Sequence, residues 1–224
     1  MTDWRVRGPW RLEDLRAGRI GAPKNGLRVL STFACGGGST MGWKLAGFDV
    51  VGAVEIDKEM AAIYRKNHAP KHLFEMPIQE FNKLDVLPDD LRDIDVLDGS
   101  PPCTVFSTAG SHKSSLGRVK KFREGQATQR LDDLVFHLIR TTEKLKPRVV
   151  VIENVKGLTI GRSRGYCKEI FAALTDIGYE PQLFLLNASR MGVPQRRERC
   201  FFIGRRRDQA IEPFQLSFIE PEIF

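Results

Sequence analysis

The sequence contains little cysteine: 4 residues in 224, at Cys35, Cys103, Cys167 and Cys200, with none in a CxxC pair. That spacing predicts free thiols and supports neither a disulfide framework nor a zinc site, so no metal is expected. Long apolar runs are also lacking, which excludes a helix that crosses a membrane. Because the first residues lack the apolar core of a signal peptide, we expect a reducing, cytoplasmic location and no membrane partner.

Acidic residues are fewer than basic residues in this chain. There are 28 of them against 35 lysines and arginines, which gives a formal net charge of +7 at pH 7. One group of cations lies between residues 113 and 130, and a second, with six arginines against Glu198 alone, lies between residues 196 and 207. Clustered cations suit the phosphate backbone of a nucleic acid. The alternative for each group is a solvated surface, which we expect for Arg205, Arg206 and Arg207.

Repeats and low-complexity segments are absent. Residues 1–26 look like an N-terminal extension with one short helix that ends at Gly18. From Leu27 onward, short apolar runs alternate with segments of helical period. The runs predict strands over 27–33, 49–56, 72–78, 94–100, 147–155, 181–188 and 199–205. The helical segments are 39–48, 57–68, 129–146 and 166–178.

This alternation predicts an α/β fold with a doubly wound, mostly parallel sheet and helices on both faces. In such sheets, ligands bind beyond the carboxyl ends of the strands. The unusual polar segments all fall at predicted carboxyl ends. They are the Cys-Gly-Gly-Gly turn at 35–38, Glu55, the Ser-Pro-Pro-Cys segment at 100–103, and Glu153 with Asn154.

The glycine-rich turn after the first strand indicates a bound cofactor. Glycines let a ligand approach the backbone, and the following helix offers free N–H groups. The dinucleotide fingerprint GxGxxG is missing, so a nucleoside-containing cofactor without a pyrophosphate fits better. Glu55 is expected to accept hydrogen bonds from ribose hydroxyls. The alternatives are tight packing for the turn and a charge at a helix N-terminus for Glu55.

Cys103 is the candidate nucleophile, because two prolines stiffen the chain before it and the strand end fixes its position. The other three cysteines are expected to be small buried side chains. Glu153 ends a buried strand, where dry surroundings raise the pKa of a carboxyl group and suit proton donation to a ring nitrogen. An ion pair or a cap is the alternative. Arg197 and Arg199 are expected to share one face of a strand and to bind a carbonyl oxygen.

Five motifs resemble those of the cytosine-C5 DNA methyltransferase family, including its phage and prophage members. In order they are FACGGG at 33–38, VEID at 54–57, GSPPC at 99–103, ENV at 153–155 and QRRER at 195–199. The resemblance implies a Rossmann-like, S-adenosylmethionine-dependent methyltransferase fold. It also implies DNA methylation of the restriction-modification kind, at C5 of a cytosine flipped out of the duplex.

The same resemblance implies roles for individual residues. Cys103 would add to C6 of the cytosine, Glu153 would hydrogen-bond N3 and the amino group, and Arg199 would hold O2. Arg197 would support that site, and Asn154 would position the Cys103 loop. The cofactor would contact Phe33, Ala34, Cys35, Gly36, Gly37, Glu55, Ile56, Ile78 and Pro101. DNA would contact Ser107, Lys113, Arg118, Lys120, Lys121, Arg123 and Gln195.

Three departures from the family pattern modify these expectations. Cys35 stands where the family has a glycine, so the backbone requirement for glycine is expected to be relaxed there. Pro77 replaces the acidic or amide residue that usually precedes Ile78, which weakens the expected adenine contact. The family's target-recognition domain and final segment are missing. Residues 27–207 would then be the catalytic domain and 208–224 the start of a linker, with a second subunit or a C-terminal segment completing the enzyme.

Two alternatives stay open. One is an RNA-directed relative with the same chemistry, although its typical loop after Pro-Pro-Cys differs from the Thr-Val-Phe-Ser at 104–107. The other is a non-catalytic module that binds DNA or cofactor, or that pairs with a partner methyltransferase.

Overall fold

The computed structural model describes residues 13–14, 20–102, 119–120, 129–130 and 133–216. Within these residues, a sheet of seven strands has the order β3-β2-β1-β4-β7-β9-β8, and β5 and β6 form a separate pair. The strands are β1 Arg28–Thr32, β2 Asp49–Val54, β3 His72–Phe74, β4 Val96–Gly99, β5 Val119–Lys120, β6 Gln129–Arg130, β7 Val149–Val155, β8 Tyr179–Asn187 and β9 Glu198–Arg206.

Five α-helices connect the strands in the described part of the chain. They are α1 Gly38–Leu45, α2 Lys58–His68, α3 Ile78–Phe81, α4 Leu134–Leu145 and α5 Arg164–Asp176. Short 3₁₀ helices lie at Asp89–Leu91, Lys156–Thr159, Gly161–Ser163, Ala188–Met191 and Arg207–Gln209. None of the helices in these ranges combines the length and the hydropathy needed to span a bilayer.

The sheet is parallel from β3 through β7, and only β9 runs antiparallel, to both β7 and β8. The predicted doubly wound, mostly parallel α/β fold is therefore confirmed. Crossover connections are right-handed, so the reversal of strand order at β1 and β4 places α1 and α2 on one face and α4 on the other. In agreement, Thr40 of α1 and Tyr64 of α2 share a hydrogen bond of 2.9 Å.

Local sequence signals account for most element boundaries. Asp57 caps α2 as its carboxylate accepts from the backbone N–H groups of Glu59 and Met60, at 2.9 and 3.2 Å. The predicted start of the helix over 129–146 was wrong. Gln129 and Arg130 pair with β5 in an antiparallel ladder, which holds them extended, and α4 begins at Leu134.

The main core lies between the sheet and the helices α3, α4 and α5. Leu30, Leu97 and Ile152 of the central strands are fully buried there, together with Leu138 of α4. Packing is tight at Gly99, where an added Cβ would lie 2.5 Å from the Thr32 hydroxyl and 2.6 Å from the Leu138 side chain. The carboxyl ends of β1 and β4 are therefore held in close register.

The residues just before β1 are attached to the sheet's first crossover. The backbone N–H of Ala22 donates to Leu45 O at 2.7 Å, and that of Asn25 donates to Gly47 O at 3.0 Å. Lys24 forms an ion pair with Asp49 at 2.5 Å. The end of the predicted N-terminal extension thus packs against the connection between α1 and β2.

Candidate active site

The carboxyl ends of four adjacent strands meet at one edge of the sheet. Thr32 is paired with Val54 of β2 and with Gly99 of β4, and Gly99 is paired with Ile152 of β7. The glycine-rich turn, Glu55, Pro101 and Glu153 follow directly after these positions. The structure therefore brings the predicted polar segments together at this edge, except Cys103, which lies outside the described residues.

The turn after β1, residues 33–38, has a backbone with three left-handed conformations. Phe33, Cys35 and Gly37 have φ angles of 53°, 49° and 91°. This region costs a residue with a side chain about 1–2 kcal/mol. The expectation of a relaxed glycine requirement at Cys35 was wrong, because its φ is one that favours glycine. The expectation of a buried side chain was also wrong for Cys35, which is exposed, whereas Cys167 and Cys200 are buried.

Glu55 holds this strained turn in place. One carboxylate oxygen accepts from the backbone N–H of Cys35 and the other from that of Asp57, both at 2.7 Å. Glu55 is only 7% exposed. Each carboxylate oxygen has a second lone pair, so the group can also accept from a ligand hydroxyl at the sheet edge. The alternative for Glu55, a charge at a helix N-terminus, therefore describes part of its role, since Asp57 is the N-cap of α2.

Gly37→Ala should destabilise the protein, whereas Gly38→Ala should not. A Cβ at Gly37 would lie 2.1 Å from Nε2 of His68, while one at Gly38 meets nothing within 4 Å. Steric overlap and the left-handed φ together predict a loss of at least about 2 kcal/mol in the free energy of unfolding for Gly37→Ala. Thermal unfolding of both variants without ligand measures this. Equal midpoints for the two would show that the turn relaxes around the new methyl group.

Cys35→Gly should leave the protein as stable as the wild type or up to about 1 kcal/mol more stable. Relief of the left-handed strain outweighs the added backbone entropy of glycine. Cys35→Val is the matched control, and it should lose at least about 1 kcal/mol because β-branched residues tolerate this conformation poorly. Urea unfolding of both variants tests the pair. A clearly destabilised Cys35→Gly would mean that the thiol makes contacts that compensate for the strain.

The other predicted cofactor residues differ in how far they can meet a ligand. Ala34, Ile78 and Pro101 are buried, and Ile78 packs into the main core beside Phe81. Phe33 and Ile56 are partly exposed. The carbonyl of Gly36 accepts a hydrogen bond from the Asn67 side chain at 3.0 Å, which ties the turn to α2.

Glu153 and Arg199 form an ion pair across two antiparallel strands. Nε of Arg199 lies 2.9 Å from Oε1 of Glu153, and both side chains are about three-quarters buried. Arg199 is opposite Val155 in the ladder, so it reaches Glu153 diagonally on the same face. Burial raises the pKa of the Glu153 carboxyl group, and the charges of Arg199 and Arg197 oppose that rise. The expected direction of the pKa change at Glu153 is confirmed.

Asn154 links β7 to the turn that precedes Cys103. Its Nδ2 donates to the carbonyl of Pro101 at 3.3 Å, and its Oδ1 accepts from the backbone N–H of Val155 at 2.8 Å. The side chain is buried. A buried amide with both ends bonded fixes the distance between β7 and Pro101.

The second cationic group is less free for DNA than its sequence indicates. Arg199 pairs with Glu153, Arg206 with Asp208 at 2.7 Å, and Arg205 with Glu180 at 2.7 Å. The expected solvated end at Arg205 was wrong, since this residue is 9% exposed and also donates to Ile211 O at 2.5 Å. Arg196 and Arg197 are exposed.

The structure describes only some of the residues that are predicted to contact DNA. Gln195 is exposed in the loop before β9, where its carbonyl accepts from the N–H of Arg197 at 2.9 Å. Lys120 lies in β5, and the structure describes its backbone but not its side chain. Ser107, Lys113, Arg118, Lys121 and Arg123 lie outside the described residues.

Sequence reasoning missed two residues at this edge, Asp98 and Ser39. The Asp98 carboxylate accepts from the Ser39 hydroxyl at 2.6 Å and from the Ser31 hydroxyl at 3.1 Å. The available signal was a carboxylate inside the otherwise apolar segment 96–99. Such a residue needs hydrogen-bonding partners when it is buried.

The donor set suits S-adenosylmethionine better than a phosphate-bearing cofactor or a metal. The Glu55 carboxylate can accept hydrogen bonds from ligand hydroxyl groups, and segment 33–43 contains no lysine or arginine that would pair with a phosphate. Gly38 leaves open space beside the first turn of α1. Across the described ranges, no group of histidine, cysteine and acidic side chains could hold a metal ion.

The strand order, the glycine-rich turn and the acidic residue after β2 define a Rossmann-like methyltransferase domain. The family model for C-5 cytosine-specific DNA methylases matches residues 27–222. The chain therefore belongs to the cytosine-C5 DNA methylase family, as its motifs predict.

Named relatives support the same family. The type II methyltransferase M.FnuDI of Fusobacterium nucleatum is 33% identical over 192 residues, which are 86% of this chain and 51% of the relative. M.NgoPII of Neisseria gonorrhoeae is 32% identical over 84% of this chain and 50% of the relative. The crystal structure of a DNA modification methyltransferase from an E. coli prophage superposes with a TM-score of 0.67 at 25% identity, covering 88% of this chain and 52% of that one. The chain spans about half the length of these relatives.

Proposed function

We propose that the chain is the catalytic half of a DNA cytosine-C5 methyltransferase. The observation that carries this proposal is the Glu153–Arg199 ion pair, which joins β9 to β7, the strand whose Asn154 holds Pro101 before Cys103. A carboxyl group that would donate a proton, a guanidinium that would hold a carbonyl oxygen and the segment leading to a thiol are thus neighbours at one sheet edge. That set matches the needs of a pyrimidine ring that must be attacked at C6.

The proposed chemistry begins at Cys103, because C5 of cytosine is a poor nucleophile. The thiolate forms a bond to C6, and the C5–C6 π electrons move into the ring as Glu153 donates a proton to N3. Arg199 would stabilise charge at O2. When bound, S-adenosylmethionine supplies the methyl group that C5 takes up. Loss of the C5 proton to a base then breaks the Sγ–C6 bond, restores the double bond and the thiolate, and returns the N3 proton to Glu153.

Other residues at this edge of the sheet would bind and orient the cofactor and the cytosine. Glu55 would accept from the ribose hydroxyls while its backbone contacts keep the turn 33–38 in shape. The open space at Gly38 would admit the ligand close to the backbone. The cytosine would have to leave the duplex to reach Cys103.

We further propose residues 27–207 as the catalytic domain and 208–224 as the start of a linker. A second subunit or a C-terminal segment would supply the target-recognition part, and base-edge contacts would come mainly from it. DNA and this second polypeptide are the proposed partners, and the cytoplasm is the proposed location.

Methyl transfer from labelled S-adenosylmethionine tests the proposed function. The chain would be assayed on cytosine-containing duplex DNA and on RNA, alone and with a polypeptide carrying the C-terminal half of M.FnuDI. We expect label at cytosine C5 of DNA, with the added half increasing it. Transfer to RNA alone would favour the RNA-directed alternative. Cofactor or DNA binding with no transfer under any condition would favour the non-catalytic module.

A further inference from the structure

Asp98 has no part in the chemistry above, yet it occupies the centre of the candidate site. It lies on β4 five residues before Cys103, between the end of β1 and the first turn of α1. It is 4% exposed, and burial raises the pKa of its carboxyl group, as does the nearby charge of Glu153. Burying a carboxylate is costly unless its oxygens are hydrogen-bonded.

The partners of Asp98 come from both sides of the cofactor turn. Ser31 belongs to the strand before the turn, and Ser39 belongs to the helix after it. Their hydroxyls donate to the Asp98 carboxylate at 3.1 and 2.6 Å, and the side chain of Trp43 in α1 also hydrogen-bonds to it. The backbone carbonyl of Asp98 accepts from the Thr32 hydroxyl at 2.9 Å. One residue of β4 therefore fastens both ends of the segment 33–38.

The same strand continues into the turn that precedes the nucleophile. From Asp98 the chain passes through Gly99, which has no room for a Cβ, to Pro101, whose carbonyl is held by Asn154. Little freedom remains between Asp98 and Pro101, because packing and prolines restrict each step. A displacement of Asp98 would thus move the cofactor turn and the start of the nucleophile loop together.

We infer that Asp98 is a positioning residue that couples the cofactor-binding turn to the strand bearing the nucleophile. It acts through Ser31, Ser39 and Trp43, whose side chains hydrogen-bond to its carboxylate. This inference rests on the proposed function in assigning the turn to a cofactor and in taking Cys103 as the nucleophile. The mechanical link between β4, β1 and α1 is independent of those assignments.

Two variants and one matched control test the link on the full chain. Asp98→Asn keeps the shape but weakens acceptance from two hydroxyls, and Ser39→Ala removes one donor from an exposed position. Asp95→Asn is the control, because Asp95 lies one residue before the same strand and accepts from the Arg28 backbone N–H at 2.8 Å, outside the cofactor edge. Amide hydrogen exchange of residues 33–41 is measured without ligand.

We expect exchange in this segment to increase at least about fivefold in Asp98→Asn and Ser39→Ala and to stay unchanged in Asp95→Asn. S-adenosylhomocysteine should bind about tenfold more weakly to the first two variants, with DNA affinity unaltered. The double variant should bind S-adenosylhomocysteine no more weakly than Asp98→Asn alone, because both substitutions act on the same hydrogen bond between Ser39 and Asp98.

Unchanged exchange in Asp98→Asn, or an equal increase in Asp95→Asn, would overturn the inference. So would additive losses of affinity in the double variant. If the wild-type chain bound no S-adenosylhomocysteine, the proposed function would fail, but the exchange measurement would still decide whether Asp98 holds the segment 33–41 in place.

Discussion

Cys103→Ser is expected to abolish the covalent complex between the protein and DNA that carries 5-fluorocytosine. Fluorine at C5 cannot leave as a proton does, so the Sγ–C6 bond persists and the adduct accumulates in the presence of S-adenosylmethionine. A serine hydroxyl is not ionised at neutral pH, whereas a thiol with a pKa near 8.5 supplies a usable thiolate fraction. Turnover should fall roughly 10⁴-fold or more, the scale at which removal of a nucleophile usually acts.

The adduct is measured by denaturing gel electrophoresis with the M.FnuDI C-terminal half present. Cys167→Ser is the matched control, because it removes a thiol that has no proposed contact with DNA or cofactor, and a serine hydroxyl can keep the hydrogen bond that Sγ donates to Leu158 O at 3.0 Å. Its adduct should form as in the wild type. An adduct that persists in Cys103→Ser would show that another group attacks C6.

Glu153→Gln is expected to lower kcat about 10²–10⁴-fold, which is the usual contribution of a positioned general acid. Glutamine keeps the shape and can offer an N–H group, but it cannot transfer a proton to N3. Cofactor affinity should be unchanged, since Glu55 and the turn 33–38 are untouched. Glu198→Gln is the matched control: Glu198 is also an ion-paired carboxylate, 2.8 Å from Lys156, but it is an exposed residue at the start of β9.

The pH profile separates proton donation from simple hydrogen bonding at Glu153. Burial raises the pKa of its carboxyl group, so a proton is retained at higher pH than in an exposed glutamate. Because the protonated form is the active one, kcat should fall as pH increases through that raised pKa. This decrease of kcat with pH should be absent in Glu153→Gln and present in Glu198→Gln. If kcat still decreased with pH in Glu153→Gln, the titration would belong to another group.

The order of strands and helices could be predicted from the sequence because each element has its own hydrophobic period and end signals. Asp57 illustrates this, since a cap depends only on residues two and three positions away. The start of α4 could not be predicted in the same way. Gln129 and Arg130 are extended because β5 pairs with them, and pairing between separate segments leaves no periodic signal.

The candidate site was predictable where motif residues follow strand ends. Glu55 and Glu153 are at the expected edge because parallel strands bring their carboxyl ends together. The conformation of Cys35 and the burial of Arg205 were mispredicted. A φ angle depends on what holds the turn, here the Glu55 carboxylate, and the burial of Arg205 depends on Glu180, which β8 places beside it.

The sequence by itself determined the family, the α/β class and the set of residues available for chemistry. Residue types and their spacing along the chain carry that information. Tertiary structure alone decided which of these residues contact one another. The Glu153–Arg199 pair, the Asn154–Pro101 link and the Asp98 network all join segments that are far apart in the chain; the separation is 53 residues for Asn154 and Pro101 and 59 for Asp98 and Ser39. Strand register sets such contacts, and register is fixed by packing rather than by any local pattern.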